Sequence, residues 1–317
     1  METEIFNNGT NIKEFWILGF ENLHRFRILL FLLILLDYVV TISANVMIVL
    51  LVTTTRHVYS PMYFFLSHLS LNDILFITNI APQLLSIVLN NGSAATIAGC
   101  FTQFYFFELS AVVETFLLTV MSYDRYLAIC NPLRYSSIME LKLCVNLAAS
   151  TWVSGIVLSF IHIILFRQVI FCRSNVINHI FCDLLPILKL SCSDVSVNKI
   201  AMYIISIPIL YFPLICITGT YTNILLSILR ISTTSTGRQK AFSTCSSHLT
   251  VVCIYYGTLL FNYMVPSEGN YISLQKVGSV LYTTVTPLLN PIIYSLRNEA
   301  IRGALMSFIS KCMRGTF

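Results

Sequence analysis

Asp124 and Arg125 stand side by side at the end of an apolar and aromatic run, in the stretch MSYDRYLAIC from Met121 to Cys130. A lone Arg at the edge of a greasy segment ordinarily snorkels to water, whereas an Arg with an acid beside it can be held as an ion pair. Other polar groups interrupt apolar runs in the same way. Asp73, Glu114 and Asn290 each need a partner, and each interhelical hydrogen bond there adds about 0.6–2 kcal/mol. Glu108 is a further carboxylate in apolar surroundings, costly if left ionised and unpaired. Enzyme chemistry has no such footing. His162 and His248 have no Glu or second His at metal spacing beside them, and no phosphate loop or nucleophile motif occurs.

The elements that must position these groups are membrane spans. The chain has 317 residues, 56% hydrophobic and 10% charged, whereas soluble domains carry about 25% charged residues. Seven apolar runs approach or exceed the length needed to cross a bilayer: Ile28 to about Val52, Met62 to Leu89, Ile97 to Met121, Leu143 to Phe166, Ile200 to Ile228, Leu249 to Val265 and Val277 to Tyr294. None alternates with period two, which disfavours a barrel. The expected fold is an all-α membrane protein, a seven-transmembrane helix bundle with a short C-terminal amphipathic helix. It forms a single domain, with residues 1–26 outside, 27–296 as the bundle and 297–317 as a cytoplasmic tail.

Arg125, Arg134, Lys142, Arg230, Arg238, Lys240, Arg297 and Arg302 crowd one set of loops, with few acids among them, and mark the cytoplasmic face. The opposite loops are nearly balanced in charge and include the acids Glu2, Glu4, Glu14 and Glu21. The N-terminus is therefore expected outside, without a cleaved signal peptide. The glycosylation acceptor at Asn8 agrees. So do Cys100, Cys172, Cys182 and Cys192, all on the oxidising side, although four cysteines allow three connectivities. Met306, Phe308 and Ile309 interleave with Arg302, Lys311 and Arg314 in the pattern of a helix lying on the inner leaflet, with Cys312 as a palmitoylation site.

Four long stretches narrow the reading. PMYFFLSHLSLND from Pro61, MSYDRYLAICNPLRY from Met121, KAFSTCSSHL from Lys240 and PLLNPIIYSLRN from Pro287 together resemble the olfactory receptor family of rhodopsin-like G-protein-coupled receptors. Ala44, Ser122 and Thr220 depart from the family's usual residues, each by a small-for-small exchange. The resemblance implies that Asp124 holds Arg125 at rest, and that Arg125, Tyr126, Tyr221 and Tyr294 rearrange when the receptor switches on. It implies a sodium and water site at Asp73, Glu114 and Asn290, and the disulfides Cys100–Cys182 and Cys172–Cys192. The partners it implies are a small organic odorant, a heterotrimeric stimulatory G protein raising cAMP, and the lipid bilayer, with no nucleic acid among them. The location it implies is the plasma membrane, in sensory cilia of olfactory neurons.

The ligand is expected beneath the long loop between the fourth and fifth spans, among the third, fifth, sixth and seventh spans. Glu108 lies eight residues past Cys100, about 12 Å down its helix at about 1.5 Å per residue. With it come Ala111, Val112, Ile205, Ser206, Tyr256, Leu259, Tyr263 and Thr283, a mostly apolar lining that suits a small, volatile molecule. A chemosensory receptor of the same fold acting outside olfaction is the alternative. A transporter is disfavoured, because the two halves show no internal repeat.

Overall fold

The computed structural model describes residues 12–20, 26–54, 60–166, 169–171, 174–231, 235–265, 269–297, 301–303 and 305–306; for residues 231, 235–244, 263, 270, 296 and 297 it describes the backbone alone. Asn8, Cys172, Cys312 and the side chain of Tyr263 lie outside the described residues.

Six spans are single helices: α1 (Arg27–Thr54), α2 (Pro61–Asn90), α3 (Ile97–Cys130), α5 (Leu141–Phe166), α7 (Ser196–Ile231) and α8 (Ser235–Met264). The short helices α4 (Pro132–Ile138) and α6 (Leu184–Leu188) lie between them. The seventh span runs through α9 (Ile272–Val280), a π-helical turn at Leu281–Val285 and α10 (Thr286–Arg297). Among the described residues, five helices are long and apolar enough to cross a membrane. The sixth span, α8, begins well before the apolar run at Leu249 and is diluted by Ser, Thr, Tyr, Asn and His, while the seventh is divided by its π turn. Ile28, Leu29, Leu32, Leu33 and Leu36 of α1 are all exposed, as befits a lipid-facing surface and not a water-facing one.

The division of the seventh span has a local cause. Pro287 and Pro291 lack the N–H that the α-helical ladder requires, so the carbonyls four residues earlier lose their donors. For Pro291 that carbonyl belongs to Pro287, and Asn45 of α1 supplies the replacement: its amide donates to Pro287 O at 3.2 Å. The helix break thus becomes a joint between the first and seventh spans. On the other side of the bundle α3 and α5 approach closely at Gly155, where a Cβ would lie 2.8 Å from Val113 Cγ2 and 3.1 Å from the Leu109 carbonyl.

The lid end of the bundle carries a small sheet that the apolar pattern does not announce. Strand β1 (Glu14–Ile17) pairs antiparallel with β2 (Ser93–Thr96) and parallel with β3 (Val176–Ile177), in the order β2-β1-β3. Its burial alternates, with Phe15 and Ile17 inward and Glu14 and Trp16 outward. Phe15 and Ile17 pack with Ile87, Cys100, Ile177 and Cys182 in a satellite core. The Cys100–Cys182 disulfide, with Cα atoms 5.3 Å apart, ties the loop to α3. Gln103, one turn on, strengthens the junction: its carbonyl oxygen accepts from Cys182 N at 2.9 Å and its amide donates to Asn79 O at 3.1 Å. Cys192 is also disulfide-bonded.

A second clasp holds the lid to the later spans. Lys276 Nζ donates to the Gly19 carbonyl and to Asn178 Oδ1. Ser279 donates to Asn262 Oδ1 at 2.8 Å and lies 3.2 Å from His179 Nε2. Burial, and then the Lys276 charge, hold the His179 imidazole down at about 4.

Two outcomes follow for the lid. An unfolded His179 binds its proton near pH 6.5, above the folded value, so the unfolded state is favoured as pH falls from about 6.5 toward 4. Detergent-purified protein should melt progressively lower across that window, by up to about 1.4 kcal/mol per pH unit, and His179→Gln should flatten the slope. Cys100→Ser or Cys182→Ser should cost about 2–5 kcal/mol and retain the chain inside the cell, read by surface labelling, with the bond itself checked by non-reducing peptide mapping.

Candidate functional site

A cavity of about 310 Å³ lies under the lid, lined by α3, α5, α7, α8 and the loop around Asp183. This is the small end of the range of about 300–1,000 Å³ found for ligand pockets. Of the residues expected from sequence, Glu108, Ala111, Val112, Ser206 and Leu259 line it. Ile205, Tyr256 and Thr283 do not. One step along a helix turns the side chain by about 100°, so Ser206 lines the wall where Ile205 does not, and Tyr255 occupies the place expected for Tyr256. Tyr255 is buried, shares a 2.6 Å hydrogen bond with the Thr115 hydroxyl and donates to the Ala111 carbonyl at 3.0 Å.

Thr283 is fully buried and donates to Ser279 O at 2.7 Å. Between the seventh span and the lid, Phe107 packs against Phe76, Phe181 and Tyr282 with ring centroids 4.9–6.0 Å apart. These aromatic rings fill the space beside the seventh span, and the cavity lies instead between the third, fourth, fifth and sixth. His162 of α5, which has no polar neighbour in sequence, meets Glu108 of α3 there: Nδ1 is hydrogen-bonded to Oε1. Both residues fall in the outer part of adjacent spans, and matching their depths is the signal that would have paired them. Asp183, which caps α6 through a 2.7 Å bond from Leu184 N, completes a polar rim.

Midway down the bundle, Asn290 of α10 joins two acids. Its amide donates to Asp73 Oδ1 and Oδ2 at 3.2 and 3.1 Å and to Glu114 Oε1 at 3.3 Å. All three residues are buried, and Glu114 Oε2 has no hydrogen-bond partner.

At the far end, Asp124 is fully buried and hydrogen-bonded to Arg125 through Nε at 3.0 Å and through Nη2. Tyr135 of α4 donates to Asp124 Oδ1 at 2.8 Å; burial and the facing carboxylate push its phenol well up. Tyr221 and His248 share a 2.6 Å hydrogen bond, with their rings nearly parallel. The Tyr294 hydroxyl is buried without a partner, and Tyr126 is half-buried, stacked on Tyr123. Asp124 and Arg125 are thus brought together, while Tyr221 and Tyr294 are not joined to Arg125 in this arrangement. Sequence reading missed Tyr135 and His248 as partners, since nothing local shows which hydroxyl faces which acid.

The family model described as olfactory receptor matches residues 33–312. The chain belongs to the olfactory receptor family. Relatives in that family include Olfactory receptor 1M1 of Mus musculus, 41% identical over 96% of this chain and 97% of that one, and Olfactory receptor 5L2 of Homo sapiens, 45% identical over 94% and 96%. Squid rhodopsin shares the fold, with a TM-score of 0.68 at 16% identity, covering 88% of this chain and 85% of that structure. This olfactory receptor is a multi-pass membrane protein and not an enzyme.

The midway cluster makes a prediction about stability. Asn290→Leu removes the donor shared by Asp73 and Glu114 and leaves two buried acids facing each other. The loss should be at least about 1–3 kcal/mol, read as a lower melting midpoint of detergent-purified receptor. Asn290→Asp should be worse still, adding a third carboxyl.

Proposed function

We propose that this receptor binds a small, mostly apolar odorant in the cavity beneath the lid and passes its occupancy to a heterotrimeric stimulatory G protein, raising cAMP. The observation that carries the reading is the joint presence of a roofed cavity of about 310 Å³ at one end and a buried Asp124–Arg125 pair at the other, linked by α3. Tyr255 forms part of the cavity wall and is bonded to α3 at Thr115 and Ala111, so a ligand that displaces it bears on α3 and α8 together. At the far end, Arg125 would leave Asp124 of its own helix for the Tyr221 hydroxyl of α7 and the Tyr294 hydroxyl of α10 as α8 moves away from α3. The N-terminus then faces outward and the Arg125 end faces the cytoplasm, in the plasma membrane of sensory cilia, with a glycan at Asn8.

Sodium belongs to the same proposal. Asp73 and Glu114 offer oxygen donors suited to a small hard cation, and the unpartnered Glu114 Oε2 fits that role. Bound there, the ion would neutralise the paired acids and favour the resting packing of α2, α3 and α10.

Arg125→Ala should abolish odorant-driven cAMP while leaving surface expression close to the parent level. Full cAMP output from that variant would sink the latch assignment. Response to any odorant at all, tested against a chemically broad panel in cells displaying the chain, tests the reading as a whole.

A further inference from the structure

Three acidic or imidazole side chains from three separate elements reach the cavity: Glu108 from α3, His162 from α5 and Asp183 from the loop. No Lys or Arg is among the described residues that line it. With His162 protonated and both acids ionised, this rim carries a net charge of one negative unit, and with His162 neutral it carries two. Glu108 is only 9% exposed, His162 1% and Asp183 8%, so these charges are poorly solvated and a cation among them is strongly favoured.

Hydrogen-bond accounting points the same way. Glu108 Oε1 is bonded to His162 Nδ1, but Glu108 Oε2 and His162 Nε2 are buried with no partner. Asp183 Oδ1 is spent on Leu184 N, which leaves its second oxygen as an acceptor. Burial pushes the Asp183 carboxyl up to about 6; the Leu184 N–H partly offsets this, and the neighbouring Glu108 adds to it. The two acids therefore feel each other across the rim. What fits is a group with several donors and a positive charge.

We propose that Glu108 and Asp183, with His162 as the internal partner of Glu108, form a subsite for the ammonium head of a small amine whose hydrocarbon body fills the apolar remainder of the cavity. This rests on the odorant-receptor reading above and names the class of ligand. An ammonium supplies three donors and one positive charge to Glu108 Oε2, which has no partner, and to the Asp183 carboxylate across the rim. A carboxylic acid would bring a third negative charge. Ketones and esters accept only, and leave Glu108 Oε2 unpaired. A metal ion is the poorer occupant, since no three His, Cys, Asp or Glu side chains among the described residues converge at metal-ligand geometry.

The test uses cells displaying the full chain with a cAMP reporter, challenged with primary amines from butyl to octyl and with the alcohols, methyl ketones and carboxylic acids of matched length. Amines should be at least about tenfold more potent than their alcohols, and the acids inactive. Glu108→Gln and Asp183→Asn should each shrink the amine-to-alcohol potency ratio by roughly tenfold to hundredfold, with surface level checked by an N-terminal epitope. Should Glu108→Gln fail to reach the surface, Asp183→Asn decides, and an unchanged ratio there overturns the proposal. Ketones or acids matching the amines would overturn it while leaving the odorant reading standing. Silence to this series and to a broad neutral panel, with the chain at the surface, would remove the odorant reading and the proposal together.

Discussion

A polar group inside a bilayer has no water to turn to, and the architecture of this receptor follows from that constraint acting on α3. Along its length α3 presents Gln103, Glu108, Ser110, Ala111, Glu114, Thr115 and Asp124, and each is met by a group from another element: Asn79 and Cys182, His162, Asn72, Tyr255, Asn290, Tyr255 again, and Tyr135. Lipid supplies no hydrophobic drive between helices, so packing and these hydrogen bonds set which helix stands beside which. α3 is thereby an axis to which α2, α5, α8, α10, α4 and the lid are all pinned.

The places where matching fails are as informative as those where it succeeds. Buried oxygens without partners occur at Glu108 beside the cavity, at Glu114 in the middle and at Tyr294 near the far end. An unpaired buried acceptor or hydroxyl is a cost the fold tolerates where a second arrangement or a ligand can relieve it. These three lie in different layers, from the lid to the Asp124–Arg125 pair.

The lid works by a different principle. Strand β1 is only Glu14–Ile17, and β3 only Val176–Ile177; strands this short are not stable alone. They persist because the Cys100–Cys182 bond brings the loop to α3 and because Phe15 and Ile17 bury themselves against it. The covalent tether and the small core together hold the loop at α3, next to Asp183, Leu184 and Leu185 of the cavity lining.

Sequence by itself determined the seven apolar spans, the Asp124–Arg125 pair, the prolines of the seventh span and the family motifs, because each depends on local composition or on residues adjacent in the chain. Glu108, Ala111 and Val112 were legible as cavity residues because helical rise fixes depth below Cys100. Tertiary structure alone decided what lies across from them. His162 is 54 positions from Glu108 and Asn290 is 217 from Asp73, and no local pattern encodes which faces of two distant helices will meet. The same reason explains Tyr255 in place of Tyr256: helix rotation is set by packing against neighbours, and a single residue's turn moves a side chain from the cavity wall into the core.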